Sequence, residues 1–216
     1  MADQVELFYA PQTRATGVRV LLEELGAPYK LNVLNLKLGE NRTPRYLAVN
    51  PAGKVPALRV GEAVITEQVA IYIYLADLFP EKGLTPSLDD PLRGPYLRWF
   101  VHMASCFEPA LIDRALKREE PPHSMSAYGS FDTVMESMRA QLAKGPFVLG
   151  ERMTAVDVLW GMGLRWGTMF GIVPEFEEFT AYIERFAERP SVVKVLQEDQ
   201  NMAREQEDAA VQAGVA

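Results

Sequence analysis

From residue 80 to residue 91 the chain reads PEKGLTPSLDDP, with three prolines and a glycine in twelve positions. Proline fixes φ and removes a backbone donor, and it pushes the residue before it out of the helical region. No regular helix or inner strand runs through such a stretch. It reads as a linker that divides the chain into a first domain, 1–79, and a second, 92–216. The two sides are patterned differently, and that difference restricts the fold more than any single motif.

Before the linker, strand and helix signals alternate. Val5 to Ala10 is a short apolar run ended by Pro11, the pattern of a strand. Val18, Leu21, Leu22 and Leu25 recur at helical spacing, and Gly26 followed by Pro28 closes that helix. Lys30 to Leu36 is again β-like. A strand, helix and strand in this order imply a parallel pair joined by a right-handed crossover. Ala57–Val60 and Ala63–Ile65 flank Gly61-Glu62, which suits a type II′ hairpin. Ile71, Tyr74, Leu75 and Leu78 mark a further helix, so the order is βαββα. Residues 36–55 carry Gly39, Pro44, Pro51 and Gly53 and read as irregular, with room for one short helix.

After the linker, strand signals vanish. Helical patterns cover 92–118, 125–143, 154–168, 175–188 and 191–206, with Phe176, Phe179, Ile183 and Phe186 forming one stripe. The final EDAAVQAGVA reads as a frayed tail. The fold class is therefore α/β followed by all-α.

With 216 residues, 48% of them hydrophobic, the chain can bury a sizeable core without disulfides or metal. Its single cysteine, Cys106, excludes an internal disulfide and fits a reducing compartment. It lies in a helical pattern and is expected to be a small buried hydrophobe. His102 and His123 have no ligand-like spacing, so no metal is expected. Trp99, Trp160 and Trp166 are expected in the core or a cleft wall. Residues 1–6 lack the basic-then-apolar pattern of a signal peptide, and no apolar run approaches the about 20 residues of a membrane span. A cytoplasmic protein with no membrane partner is expected.

The net charge is −7, and no basic run stands out, which argues against nucleic acid as a partner. Residues 1–80 hold 8 Lys/Arg and 8 Asp/Glu, so the excess negative charge lies in the rest of the chain. A small anionic ligand meets less repulsion at the first part.

Three short motifs carry chemistry or architecture. In NPAGKVPAL, residues 50–58, Pro56 enters a strand and cannot donate to a ladder, so a turn or an edge is required there. In TEQVAIYIYL, residues 66–75, Glu67 and Gln68 stand at a helix start, where free N–H groups and the helix dipole favour a ligand carboxylate. In TAVD, Thr154 and Asp157 have capping-box spacing, a structural role that starts a buried helix.

With these motifs in this order, the chain resembles the cytosolic glutathione transferase family over nearly its whole length. The resemblance implies a thioredoxin-like βαβ-ββα domain followed by an all-helical one. It implies a cis Val55–Pro56 bond that leaves the Val55 N–H and C=O facing outward to pair with an extended tripeptide. Glutathione is then the co-substrate, with Glu67 and Gln68 at its γ-glutamyl end and Lys54 near a ligand carboxylate. Serine is the common family residue at position 68. The resemblance further implies an electrophile pocket lined by Tyr96, Phe100, Met103 and Arg165, a homodimer, and a role in detoxification.

The first strand-to-helix turn, FYAPQTRATG at residues 8–17, contains no cysteine, histidine or carboxylate. On this resemblance the nucleophile arrives with glutathione, and the turn has to hold a thiolate. Thr13 fits the position of the serine-type members and Tyr9 that of the tyrosine-type members. Arg14 falls where bacterial members carry a cysteine, and offers charge instead. Arg19, on the helix, is expected to be structural. The implied reaction is attack of the thiolate on small apolar electrophiles. Glutathione-dependent disulfide or peroxide reduction at the same site, and a noncatalytic glutathione-binding scaffold, stay as alternatives. The missing turn cysteine disfavours a mixed disulfide with the protein.

Overall fold

A computed structural model describes residues 4–119, 121–122 and 124–215. The chain falls into two compact units, residues 1–79 together with 189–216, and residues 80–188. In chain order the elements are β1 (Val5–Tyr9), α1 (Ala15–Leu25), β2 (Tyr29–Val33), α2 (Pro44–Leu47), β3 (Ala57–Val60), β4 (Ala63–Ile65) and α3 (Gln68–Leu78). They continue with α4 (Arg93–His102), a π-helical turn (Met103–Phe107), α5 (Glu108–Ala115), α6 (Phe131–Leu142), α7 (Ala155–Met169), α8 (Glu177–Ala187) and α9 (Pro190–Gln212).

The first unit is built on a four-stranded sheet in the order β2-β1-β3-β4. β1 and β2 are parallel, and β3 runs antiparallel to both β1 and β4. The β3–β4 turn is Gly61-Glu62, with Val60 opposite Ala63 and Gly61 at φ 58°. Along β1, Val5, Leu7 and Tyr9 point into the core, while Phe8 on the other face meets the Tyr46 ring of α2 at 5.7 Å. On α1, Val18, Leu21, Leu22 and Leu25 are fully buried as their spacing requires. Burial of side chains of this size stabilises by roughly 1.5–3 kcal/mol each. Gly26, at φ 59°, ends α1 in the left-handed region, where its N–H and that of Ala27 satisfy the last carbonyls.

Several expectations are corrected. β2 stops at Val33 rather than Leu36. The buried face of α3 is Ile71, Tyr72, Leu75 and Ala76; Tyr74 is half-buried and Leu78 exposed. Residues 80–91 are no free linker. They pack within the second unit, where Leu84 is buried and its carbonyl accepts the Ala155 N–H at 2.8 Å. The last helix groups with the first unit, not with the helices before it. It packs on α1, with Val192 and Val195 buried, and is tied by Arg189 to Glu24 at 2.6 Å and by Lys194 to Glu23 at 2.8 Å. Nor does the chain fray at residue 207: α9 continues to Gln212 with Ala210 buried. Gln206 donates to Leu34 O at 3.0 Å, and Asn35 donates to Gln206 O at 3.2 Å, so the far end of the helix is clamped to the loop after β2.

The second unit is helical. Asp157, at the start of α7, accepts from Thr154 N–H at 2.8 Å, Thr154 Oγ1 at 3.1 Å, Val148 N–H at 2.7 Å and Tyr182 Oη at 3.1 Å. Burial pushes its carboxyl up to about 6 against those four donors. Trp160 is fully buried and donates to Trp99 O at 3.0 Å, whereas Trp166 is 49% exposed and meets the Phe170 ring at a tilt, 4.7 Å between centroids. His102 lies against Trp160, and burial followed by the nearby Arg98 charge lowers its pKa to about 4. Cys106 is half-buried rather than enclosed, with Ser105 Oγ at 3.7 Å and Ala127 O at 3.9 Å from its sulfur. Among the described residues, no helix is long and apolar enough to cross a membrane.

Candidate active site

Topology gathers three segments of the first unit at one end of its sheet. Ala57, the first residue of β3, pairs with Phe8 near the end of β1. Ile65, the last residue of β4, pairs with Leu58 near the start of β3. The turn after β1, the Val55-Pro56 entry to β3 and the Thr66-Glu67 exit from β4 therefore lie side by side. α1 and α3 both begin at this end, so two helix N-termini add their partial positive charge.

The Val55–Pro56 bond is cis. Among the described residues, neither the N–H nor the C=O of Val55 has a hydrogen-bond partner. The loop in front of it is held firmly. The Lys54 carbonyl accepts from Tyr46 Oη at 2.6 Å and Asn50 Nδ2 at 2.8 Å, and Asn50 Oδ1 accepts the Ala52 N–H at 3.1 Å. Burial pushes the Tyr46 hydroxyl up to about 12, so it stays a donor. Asn41 donates to Gly53 O at 2.8 Å. Gly53 has φ 62°, and a Cβ there would stand 2.6 Å from Arg42 Nη1 and 2.9 Å from Asn41 O, so only glycine fits. The Lys54 side chain is exposed. The sequence pattern gives Asn50 no role of its own and does not single out Tyr46; the Asn-Pro-Ala run, in which an Asx turn reaches two residues on, is the available signal.

Glu67 has φ 66° and ψ 113°, a conformation that non-glycine residues rarely adopt, and no side chain caps α3 at its start. Such backbone costs about 1–3 kcal/mol and is characteristic of ligand-holding sites. Glu67 is exposed and Gln68 half-buried as the first residue of α3.

In the turn after β1, Gln12 is a second left-handed residue, at φ 56°. Thr13 Oγ1 donates to Ala10 O at 2.7 Å and accepts the Ala15 N–H at 3.2 Å, so the hydroxyl braces the start of α1. The backbone N–H of Thr13 has no partner among the described residues. Arg14 is exposed and precedes the first residue of α1.

Tyr9 stands apart from this group. It is fully buried, and its hydroxyl donates to Asp199 of α9. Burial, then Asp199, holds that hydroxyl well above the usual tyrosine range. Its proton is committed inside the unit. Asp199 also accepts the Gln12 N–H at 3.1 Å on each oxygen and Thr16 Oγ1 at 2.7 Å. No sequence signal marked Asp199. Arg19 is structural as expected: it is buried, lies 5.7 Å over the Tyr9 ring, donates to Tyr29 Oη at 3.1 Å and pairs with Glu198. Burial works against its charge, but Tyr29 and Glu198 outweigh it and the guanidinium stays ionised.

Tyr96, Phe100 and Met103 are buried in the second unit, where Tyr96 and Phe100 meet edge to face at 4.9 Å; Arg165 is half-buried on α7. Among the described residues, no group of three or more His, Cys, Asp or Glu stands where a metal could be held, and His123 lies outside those residues.

Comparison with known proteins gives a consistent set. The family model for the glutathione S-transferase N-terminal domain matches residues 3–77. The glutathione S-transferase GstA of Escherichia coli O157:H7 is 29% identical over 198 residues, which cover 89% of this chain and 97% of that protein. The maleylacetoacetate isomerase maiA of Aspergillus fumigatus is 31% identical over 162 residues, 67% of this chain and 70% of that protein. A glutathione transferase homolog from Sulfitobacter, solved with bound glutathione, superposes with a TM-score of 0.70 at 28% identity, covering 92% of this chain and 99% of that one.

Proposed function

The chain belongs to the glutathione transferase family, and from that premise we propose where it binds glutathione and how it uses the sulfur. The unpartnered Val55 peptide edge beside the β1–α1 turn carries the proposal. An extended tripeptide pairs with that N–H and C=O as an added strand. Its γ-glutamyl carboxylate meets the start of α3 at Gln68, its ammonium meets Glu67, and Lys54 takes a carboxylate. The cysteinyl sulfur then faces the turn, where the Thr13 N–H, the Thr13 hydroxyl and the Arg14 charge receive it.

The energetics suffice. A thiol with a pKa near 8.5 is mostly protonated at neutral pH, and lowering that value by about two units requires about 2.7 kcal/mol of preference for the anion. One hydrogen bond to a charged group supplies roughly 1.5–3 kcal/mol. A helix N-terminus adds about 0.3–1 kcal/mol. The Thr13 hydroxyl has to turn from the Ala10 carbonyl to donate, whereas the Thr13 N–H needs no rearrangement. Once ionised, its proton having left to solvent, the thiolate attacks a small apolar electrophile: the sulfur lone pair forms the new bond to carbon, and the displaced pair departs with a leaving group or, in an addition, moves onto the electrophile, which then takes a proton from solvent. Tyr96, Phe100, Met103 and Arg165 of the second unit keep the role of electrophile-binding residues in this proposal. The protein acts as a cytoplasmic homodimer in detoxification.

Retention on immobilised glutathione together with turnover of an electrophile panel tests the reading as a whole; retention without turnover is the result of a scaffold. Thr13→Ala lowers conjugation by about 100-fold, the cost of one preorganised donor, and raises the pH at which bound thiolate forms, while Thr13→Ser retains both. Unchanged conjugation and thiolate formation in Thr13→Ala overturn the assignment to the Thr13 hydroxyl and leave the Thr13 N–H as the donor.

A second reading, isomerisation of maleylacetoacetate, is favoured by the 31% identity to the Aspergillus isomerase. Glutathione-dependent conversion of that substrate in place of conjugation decides for it.

A further inference from the structure

Asp199 is 5% exposed and stands on α9, yet every hydrogen bond it accepts comes from the strand, turn and helix that frame the proposed thiolate position. Tyr9 is the last residue of β1, Gln12 the left-handed residue of the turn, and Thr16 lies in the first turn of α1. Three fixed points therefore bracket Thr13 and Arg14. Gln12 is held in an unfavourable conformation by an N–H shared between both carboxylate oxygens. The charged groups around Asp199 are Arg19 of α1, which sits over the Tyr9 ring, and Glu198 beside it on α9, which is paired with Arg19. Glu198 is thus neutralised locally, and the Asp199 carboxylate is left to the turn.

We propose that Asp199 is a positioning residue for catalysis: through Tyr9, Gln12 and Thr16 it sets the turn that receives the glutathione sulfur, which makes α9 part of the active site of the first unit. This rests on the reading of that turn as the thiolate site. Asp199 acts only through the Tyr9 and Thr16 hydroxyls and the Gln12 N–H that it holds, and touches no substrate in this proposal. The peptide-binding edge at Val55 and the start of α3 make no hydrogen bond to it, so the grip on the rest of glutathione does not depend on it.

The experiment compares the full-length wild type with Asp199→Asn, Thr16→Val and Lys194→Ala. The asparagine keeps the shape but has only one oxygen to accept with, and Thr16→Val removes one donor without touching Asp199. Lys194→Ala breaks an exposed ion pair between the same two helices, 2.8 Å long, and serves as the control for a loosened α9. Four quantities are read: melting temperature, steady-state kcat and KM, glutathione affinity by calorimetry, and the pH dependence of the ultraviolet thiolate absorbance of bound glutathione. In Asp199→Asn, kcat/KM falls by about 10- to 100-fold through kcat, the cost of a misplaced reacting group, with glutathione affinity nearly unchanged. Half-ionisation of the bound thiol moves up by about 1 pH unit, a tenfold loss of preference for the anion. Thr16→Val shifts it in the same direction by less, and Lys194→Ala leaves it at the wild-type value. If Asp199→Asn does not fold, Thr16→Val alone decides by the direction of its shift. A wild-type thiolate profile in whichever of these variants folds, with only the melting temperature lowered, overturns the proposal and leaves the thiolate reading standing. A wild-type protein that binds glutathione without forming thiolate overturns the reading and the proposal together.

Discussion

Asp157 and Asp199 are both buried carboxylates that collect several donors, and they serve different ends. Asp157 takes the N–H groups of Val148 and Thr154 and the hydroxyls of Thr154 and Tyr182, partners no more than 25 positions away. Asp199 takes Tyr9, Gln12 and Thr16, which lie 183 to 190 positions away. Closing a loop of 190 residues rather than 9 costs about 2–3 kcal/mol more chain entropy, since each doubling adds about 0.6 kcal/mol. Burial of Val192 and Val195 helps to offset that cost. The local carboxylate completes a helix start in a scaffold. The distant one fixes a turn whose backbone carries no regular ladder of its own. A site that must present free N–H groups cannot stabilise itself with them, so its support comes from elsewhere in the chain.

The largest expected effect falls on the local partner. Asp157→Ala strands buried N–H and hydroxyl donors and lowers stability by about 3 kcal/mol in a denaturant titration, at 1–3 kcal/mol for each unsatisfied group with some relaxation. Glutathione affinity stays at the wild-type value wherever the protein is folded. A loss under about 1 kcal/mol would mean that the donors find other acceptors, and the contrast with Asp199 would dissolve.

Next comes a test of charge within the second unit. His102 has a folded pKa lowered to about 4, so its contribution is present above the unfolded value near 6.5 and is lost as pH falls through 4. Asp157 has a folded pKa raised to about 6, so its contribution is present below its ordinary 3.8 and is lost as pH rises through 6. The two oppose each other between pH 4 and pH 6. His102→Gln should leave a melting temperature that falls with rising pH across that window by a few °C, at roughly 2–4 °C per kcal/mol for a chain of this size. A slope of the opposite sign in His102→Gln refutes the raised Asp157 carboxyl, and a slope no different from that of the wild type refutes the assignment of neutral His102.

The smallest effect is expected at the turn. Gln12→Gly keeps the N–H that Asp199 accepts and relieves the left-handed conformation, so stability rises by about 0.5–1 kcal/mol after the unfolded chain gains freedom. A decrease of that size would show the glutamine side chain to be part of what holds the turn.

Much of this was readable before any coordinates. The Thr-x-x-Asp spacing announces its own hydrogen bonds because all the groups lie within one helical turn. The apolar spacing of α1 names its buried face, and the Asn-Pro-Ala-Gly-Lys-Val-Pro run marks the irregular edge. What stayed hidden was who pairs with whom across the chain. Helical periodicity tells which side of α9 is apolar and says nothing about which layer that side covers. A tyrosine at a strand end reads the same whether its hydroxyl meets a ligand or a buried carboxylate, so the sequence alone leaves Tyr9 among the candidate donors, and its bond to Asp199 removes it. Asp199 itself lies in a stretch of glutamates, glutamines and asparagine that reads as solvated surface.

The first unit is discontinuous, and the second is an uninterrupted insertion within it. Synthesis delivers the chain from its N-terminal end, and domains tend to fold as they emerge. Residues 80–188 are complete and free to fold while the first unit still lacks its final helix. Until residue 199 is added, the Tyr9 and Thr16 hydroxyls and the Gln12 N–H have no carboxylate to meet. The unit begun first on the ribosome is finished last, and a nascent or truncated chain carries the Val55 edge before the turn after β1 has set.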